Sequence, residues 1–453
     1  MIDWKAPWEA LRPHLDNFSA FPQWVAVRQH LHLPEVTDCR RELATKLEAG
    51  DIRKSIRPGM KVAIACGSRG IANIVEVVST LGQKLKEWGA EPFIVPAMGS
   101  HGAATAAGQA RYLEELGLRA EQTGLVIKAT METVHLGSIP QGHEVFFDRI
   151  AHAADAVIPV CRIKPHTSFT GPIESGAAKM LTIGLGKQKG AESLHRGGFP
   201  HLSARIQEAA RLILAQVNVP FAVCLVENAA CRTALLELIE GRNILTKEPL
   251  LLKEARRLMG RLPFAELDVL LVGRIGKDIS GLGMDPYVTG RFAVPELTAG
   301  IQVYKLAVLD LSPKSHGNAL GIGLADIITY RLFSQIDFAA TYMNVLTSSV
   351  FNSAKLPLVM PTDRAATALA LLTSGCPNPA AARLVYIKDT KSIEEFYIST
   401  ALLPERPGPG GPAAAPGLAA QGLAAPGFTV PEIEVLGAPQ PMTFDGPGRL
   451  ILP

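Results

Sequence analysis

A chain of 453 residues is long enough for two domains, and 47% hydrophobic against 19% charged residues describes a folded globular protein rather than a disordered one. The net charge of +3, with no Lys/Arg-rich block, makes nucleic acid an unexpected partner. Six cysteines without CxxC pairing argue against a structural zinc site or a disulfide framework. No apolar run approaches the roughly 20 residues that span a bilayer, and the charged, proline-interrupted start is not a signal peptide. The expected location is the cytoplasm.

In chain order, residues 1–58 read as an extended or partly helical arm with a helix at Asp38–Ala49. The apolar run Lys61–Cys66 then breaks into Gly67-Ser68-Arg69-Gly70, and a helical pattern covers Ile71–Trp88. A second run, Pro92–Ala97, breaks into Met98-Gly99-Ser100-His101-Gly102 ahead of an Ala-rich helix. Further runs are Ala156–Cys161 and Phe221–Val226. This alternation of strand, polar loop and helix predicts an α/β fold with mainly parallel sheets and ligands at the carboxyl ends of the strands.

After a pause near Gly260 a second set begins with Asp268–Val272 and Val303–Leu309, and a helix is expected around Leu324–Leu332. The expected organisation is an N-terminal α/β domain over 1–260 and a C-terminal α/β domain over 261–403, facing each other across a cleft. A Pro/Gly/Ala-rich linker at 404–429 and a short tail at 430–453 follow, the tail returning as an edge strand.

The chemistry-bearing residues cluster at strand ends. His166, in Lys164-Pro165-His166-Thr167, directly follows an apolar strand and suits a general base near neutral pH; the bland alternative is a loop histidine that hydrogen-bonds the backbone. Lys179 lies among small residues that allow close approach of a ligand, although such a lysine is usually solvated. A glycine-rich loop, Gly184–Gly190, lacks the standard phosphate motifs, yet its glycines with Lys187 and Lys189 suit a mononucleotide phosphate. His195, sixteen residues beyond Lys179, offers an imidazole, a common ligand for nickel or zinc. Arg69 is placed to meet a carboxylate in bidentate geometry. His101, bracketed by glycines, is a second acid/base candidate, with Gly99 and Ser100 as cofactor-facing neighbours.

The order of these motifs resembles the nickel-pincer-nucleotide lactate racemase family, most strongly over residues 60–200. The telling element is Pro165-His166, then Lys179 in a small-residue stretch, then His195. The resemblance implies that Lys179 is covalently attached through a thioamide to a nickel-pincer nucleotide (pyridinium-3,5-bisthiocarboxylic acid mononucleotide nickel). It further implies that His195 ligates the nickel. It assigns Arg69 to substrate, and His101 and His166 to opposite faces of a 2-hydroxy acid whose C2 is inverted by reversible hydride transfer.

Cys66 stands where the family has an aspartate, and Gly102 where an arginine often follows the second-strand histidine. These departures surround the substrate, which leaves a larger 2-hydroxy acid such as a sugar acid open. Lys277 is the candidate substrate contact of the second domain, with Asp285 and Arg291 as alternatives in the same loop. His316 reads as bracing a glycine turn. The expected partners are a small-molecule 2-hydroxy acid and the cofactor-biosynthesis enzymes, with a homo-oligomer allowed. The readings set against this one are a conventional dehydrogenase, a metal-dependent hydrolase, and a non-catalytic protein that holds the nickel nucleotide or a related metabolite. The missing dinucleotide fingerprint and the missing HExxH motif count against the first two.

Overall fold

The computed structural model describes residues 5–31, 33–48, 51–68, 70–140, 142–298, 300–348, 350–403 and 432–453. Arg69 and the expected linker at 404–429 lie outside the described residues. The chain is α/β and divides into two compact units, Leu33–Met259 and Met1–His32 with Gly260–Pro453.

In the Leu33–Met259 unit the strands Glu91–Pro96, Lys61–Cys66, Ala156–Arg162 and Phe221–Glu227 lie side by side in parallel, and Thr233–Glu240 closes the edge antiparallel. Val62 through Cys66 are completely buried, which explains a continuous apolar run instead of an alternating one. The helix Ile74–Glu87 buries Val77, Val78, Leu81 and Leu85 in the core, a 3.6-residue repeat. Because Lys61–Cys66 has its chain neighbour on one side and Ala156–Arg162 on the other, the strand order reverses between these two. A crevice at the carboxyl ends of such a pair is the habitual ligand position of an open parallel sheet. Ser68 and His166 emerge from those two ends.

The other unit is built on a mixed sheet. Leu358–Met360, Ile327–Thr329, Gln302–Val308, Glu266–Val272 and Leu384–Ile387 run parallel, and Glu395–Ser399, Gln23–His30 and Glu432–Val435 follow antiparallel. Residues 1–32 therefore belong with the C-terminal unit and not with the domain expected at 1–260. The strand Gln23–His30 finds its partners more than 360 residues away (Val25 opposite Ile398), and no local sequence pattern reports such pairing. The helix expected at Leu324–Leu332 is also corrected. Ile327–Thr329 is a buried strand and only Tyr330–Phe333 is helical. A three-residue β-branched run is too short to show its own periodicity.

Trp24 fixes the inserted strand. It is 1% exposed and packs its ring 4.8 Å from Tyr397 and 6.1 Å from Tyr386. Trp24→Ala is expected to cost about 3–5 kcal/mol, read as a lower midpoint in urea unfolding.

Candidate active site

The site is built against one helical run. Ala177–Lys179 is a single α-turn, Met180–Gly184 is a π-helical turn, and Lys187–His195 is an α-helix ending on His195. The expected glycine-rich loop at Gly184–Gly190 is thus helical. Its glycines serve packing: a Cβ on Gly184 would sit 2.7 Å from the Ala97 carbonyl oxygen. The amide of Gly99 donates to the Gly184 carbonyl (3.0 Å), tying the loop before His101 to the segment just after Lys179. A π-turn between two candidate ligand residues is a feature that recurs at functional sites.

His166, Lys179 and His195 converge on two phenylalanines. The His166 ring lies 4.3 Å from Phe169, and Lys179 Nζ stands 5.6 Å from the same ring. Phe169 in turn stacks with Phe199 at 6.4 Å, and Phe199 lies 6.0 Å from His195. An ammonium over an aromatic face is held by the ring quadrupole.

The His166 loop is secured by Glu174. This fully buried carboxylate accepts from the His166 amide (2.6 Å), the Gly171 amide (3.0 Å) and the Thr170 hydroxyl (3.0 Å), and pairs with Arg256. The amide of Ser168 donates to His166 Nδ1 at 3.0 Å. On the other strand end, Ser68 Oγ is 2.5 Å from His101 Nδ1. His101 itself is exposed, and its carbonyl accepts from Gln109 at 3.1 Å.

Beneath Lys179, the buried Glu248 carboxylate takes the Ala178 amide at 3.0 Å and the Ala177 amide at the start of the turn. Gly176 permits this approach, because a Cβ there would lie 2.3 Å from Glu248 Oε1. Burial pushes the Glu248 carboxyl up to about 7, with the two amides opposing it. His195 moves the other way. Burial first, then the charges of Lys179 and Arg205, push its imidazole down to about 4 against a weaker opposing hydrogen bond to Ala191, so it is neutral at pH 7. The Arg205 guanidinium holds the turn after His195 by donating to the carbonyls of Leu194 (2.6 Å), Pro200 (2.9 Å) and Gly198.

Lys187 departs from its expected role. It is fully buried, donates to the Pro96 carbonyl (2.6 Å) and Gln109 Oε1 (3.0 Å), and lies 2.9 Å from Asp148 Oδ2. It braces the core and presents no ammonium to a phosphate. Gly99, with φ of +60°, gives its carbonyl to Gln109 (2.8 Å), so its backbone also holds the loop; Ser100 is half-buried beside it.

Lys277 belongs to the other unit, where its Nζ donates to the Gly281 carbonyl at 2.9 Å. Asp285 caps Pro286–Thr289, and Arg291 is paired with Asp326 at 2.9 Å. His316 takes a left-handed turn conformation before Gly317. Ser68, Glu174 and Glu248 carried no sequence signal. Their partners are fixed by the fold, 33, 8 and 70 residues away. Among the described residues no three His, Cys, Asp or Glu side chains cluster as a metal cage, and no helix is long and apolar enough to cross a membrane.

Residues 28–206 match the family model described as the lactate racemase N-terminal domain. Over that segment the chain is similar to the lactate racemase N-terminal domain. Among solved structures, the lactate racemase apoprotein from Thermoanaerobacterium thermosaccharolyticum is similar at 12% identity and a TM-score of 0.46, covering 81% of this chain and 94% of that chain. No curated protein matches the chain.

Two stability tests follow from these buried charges. Asp148→Ala leaves Lys187 buried and unpaired and is expected to cost about 3–5 kcal/mol in urea unfolding, with Lys187→Met in the same background restoring part of it. For Glu248 the folded carboxyl sits above its unfolded value of 4.5. Its contribution is therefore fully present below pH 4.5 and lost as pH rises through about 7. Glu248→Gln is expected to remove that loss, so the variant gains on the parent protein between pH 5 and 8 when melting midpoints are compared.

Proposed function

We propose that this protein is a racemase or epimerase that inverts C2 of a 2-hydroxy acid. In this reading a nickel-pincer nucleotide is attached at Lys179 and ligated through His195, and His101 and His166 handle the hydroxyl proton. The observation that supports it most is the grouping of His166, Lys179 and His195 around Phe169 and Phe199.

The donor set fits such a group. A metal ligand must offer a lone pair, and His195 is held neutral by burial and by the cations of Lys179 and Arg205. The same cations suit an anionic nucleotide, since the nearby carboxylates Glu174 and Glu248 are already bound to backbone amides. A single protein imidazole is sufficient for a metal whose other donors belong to the nucleotide. When bound, the group supplies an acceptor for the α-hydrogen with its electron pair.

The protein's own task is then to bind and orient the hydroxy acid and to take the hydroxyl proton. In this reading Arg69 receives the substrate carboxylate. An imidazole that accepts the hydroxyl proton makes loss of the α-hydrogen favourable; return of the proton to oxygen and of the hydrogen to the opposite face of C2 would invert the centre. The residues around the substrate differ from the family pattern at Cys66 and Gly102, so the substrate class proposed is 2-hydroxy acids, including those larger than lactate.

Intact-mass analysis after co-expression with cofactor-biosynthesis enzymes tests the attachment. The expected result is an adduct on the parent protein, absent from Lys179→Ala, with bound nickel lost in His195→Ala. His166→Ala is expected to keep nickel and lose turnover. Inversion of a C2-deuterated hydroxy acid without exchange into water is the expected label result. An unmodified Lys179 together with no bound nickel sinks the proposal.

A further inference from the structure

We propose that a second copy of this chain docks on the uncharged apolar face of the helix Phe338–Ser348, making the protein a homodimer in which that helix meets its own counterpart. The inference lies outside the candidate active site and does not rest on the function proposed above. It follows from what one helix buries and what it leaves in water.

The helix is anchored through one face. Asp337 accepts from the Ala340 amide (2.9 Å) at its start, and Thr341 and Val345 are buried. Thr341 Oγ1 accepts from the Ala319 amide at 3.1 Å and the Ala340 carbonyl from Asn318 Nδ2 at 3.3 Å, which fixes this face on the preceding loop. The outer face carries Phe338, Tyr342 and Leu346, four residues apart and all exposed, Leu346 at 72%. Residues at that spacing line up as one ridge of a helix. A ladder of rings leads into the ridge: Tyr330 lies 6.0 Å from Phe333, Phe333 lies 6.0 Å from Phe338, and Phe338 lies 5.7 Å from Tyr342. Phe351, also 72% exposed, follows in a short turn packed on the helix, and Leu356 and Leu358 are exposed beyond it.

Size and charge decide the occupant. The ridge and the three apolar side chains after it expose roughly 700 Å² between them, taking about 200 Å² for one whole large side chain. Apolar patches on proteins that stay monomeric seldom exceed a few hundred Å², and each partner of a specific interface contributes roughly 600–1,000 Å². The sequence from 338 to 354 contains no Asp, Glu, Lys, Arg or His. A helix that lies on a membrane surface is rich in lysine and arginine on its polar side, and a charged partner needs an opposite charge to meet. This stretch offers neither. A second copy requires neither, because in a two-fold contact the same patch serves both partners. A charge near the axis would face its own kind there, whereas an uncharged ridge of aromatic and leucine side chains packs against its equal.

The test is sedimentation velocity of the purified full-length protein without cofactor, at tens of micromolar, with the chain mass of 48.4 kDa as reference. The expected species has twice that mass. Leu346→Glu and Phe351→Glu each place a charge on the patch and are expected to weaken dimerisation by about tenfold or more, seen as dissociation at a dilution where the parent is still dimeric. Their far-UV circular dichroism is expected to match the parent, because both side chains stand in water. Leu250→Glu alters a side chain 65% exposed on the helix Ile244–Leu258 and is expected to leave the dimer intact. The same run with phosphatidylcholine vesicles checks a lipid surface as the occupant. A monomeric parent protein overturns the inference, whether or not it travels with the vesicles, and so does a dimer indifferent to both glutamate variants on the patch.

Discussion

The carbonyl oxygen of Ala97 lies 2.7 Å from the point where a side chain on residue 184 would begin, and the Gly99 amide reaches the Gly184 carbonyl at 3.0 Å. The helical run that carries Lys179 and His195 can therefore lie directly on the loop that carries His101 only while residue 184 is glycine. Gly67 makes a similar approach from the first strand end, where a Cβ would be 3.3 Å from the Met180 side chain. The parallel sheet brings three strand ends to one edge, and the missing side chains set how near the helical run comes to them. Enlarging Gly184 would push the helical run off the loop without touching a charged group, whereas at Gly67 the neighbour is the end of the flexible Met180 side chain, which can move aside.

Charge is sorted in the same region. Glu174 and Glu248 are buried and directed at backbone amides, one fixing the His166 loop and the other starting the turn that bears Lys179. A carboxylate committed to amide donors and to Arg256 is a poor partner for Lys179 or His195. The two acidic groups thus shape the backbone while the cations set the electrostatics around His195. The low value of about 4 for His195 is a product of that division, since it arises from burial and from neighbouring positive charge.

The parts legible in the sequence were those whose physics is local. Lys61–Cys66 and Ala156–Arg162 were readable because strands buried on both faces are short continuous apolar runs ending at polar turns. The spacing of His166, Lys179 and His195 was readable as a motif; His166 and Lys179 lie beside Phe169, and His195 beside Phe199, which stacks on it. The Gly184–Gly190 segment misled because glycines required by close packing look the same in sequence as glycines required by a loop. Lys187 misled for a related reason: its partner Asp148 comes from a separate strand, 39 positions earlier, so among glycines the lysine reads as a phosphate contact. Gln23–His30 was hidden by distance along the chain, and Ile327–Thr329 by its brevity. Ser68, Glu174 and Glu248 are ordinary residues whose roles exist only once the fold has chosen their partners.

Cys66 shows how a departure from the family pattern can be accommodated. It is completely buried, and desolvation pushes its thiol up to about 12, so it stays neutral. A buried neutral thiol is a weak hydrogen-bond acceptor and cannot hold an imidazolium in place. Two residues later the chain supplies Ser68, whose hydroxyl is within hydrogen-bond distance of His101. An aspartate in this region would add a negative charge to a crevice that, on the function proposed, has to admit a substrate carboxylate. A hydroxyl orients the imidazole without that charge.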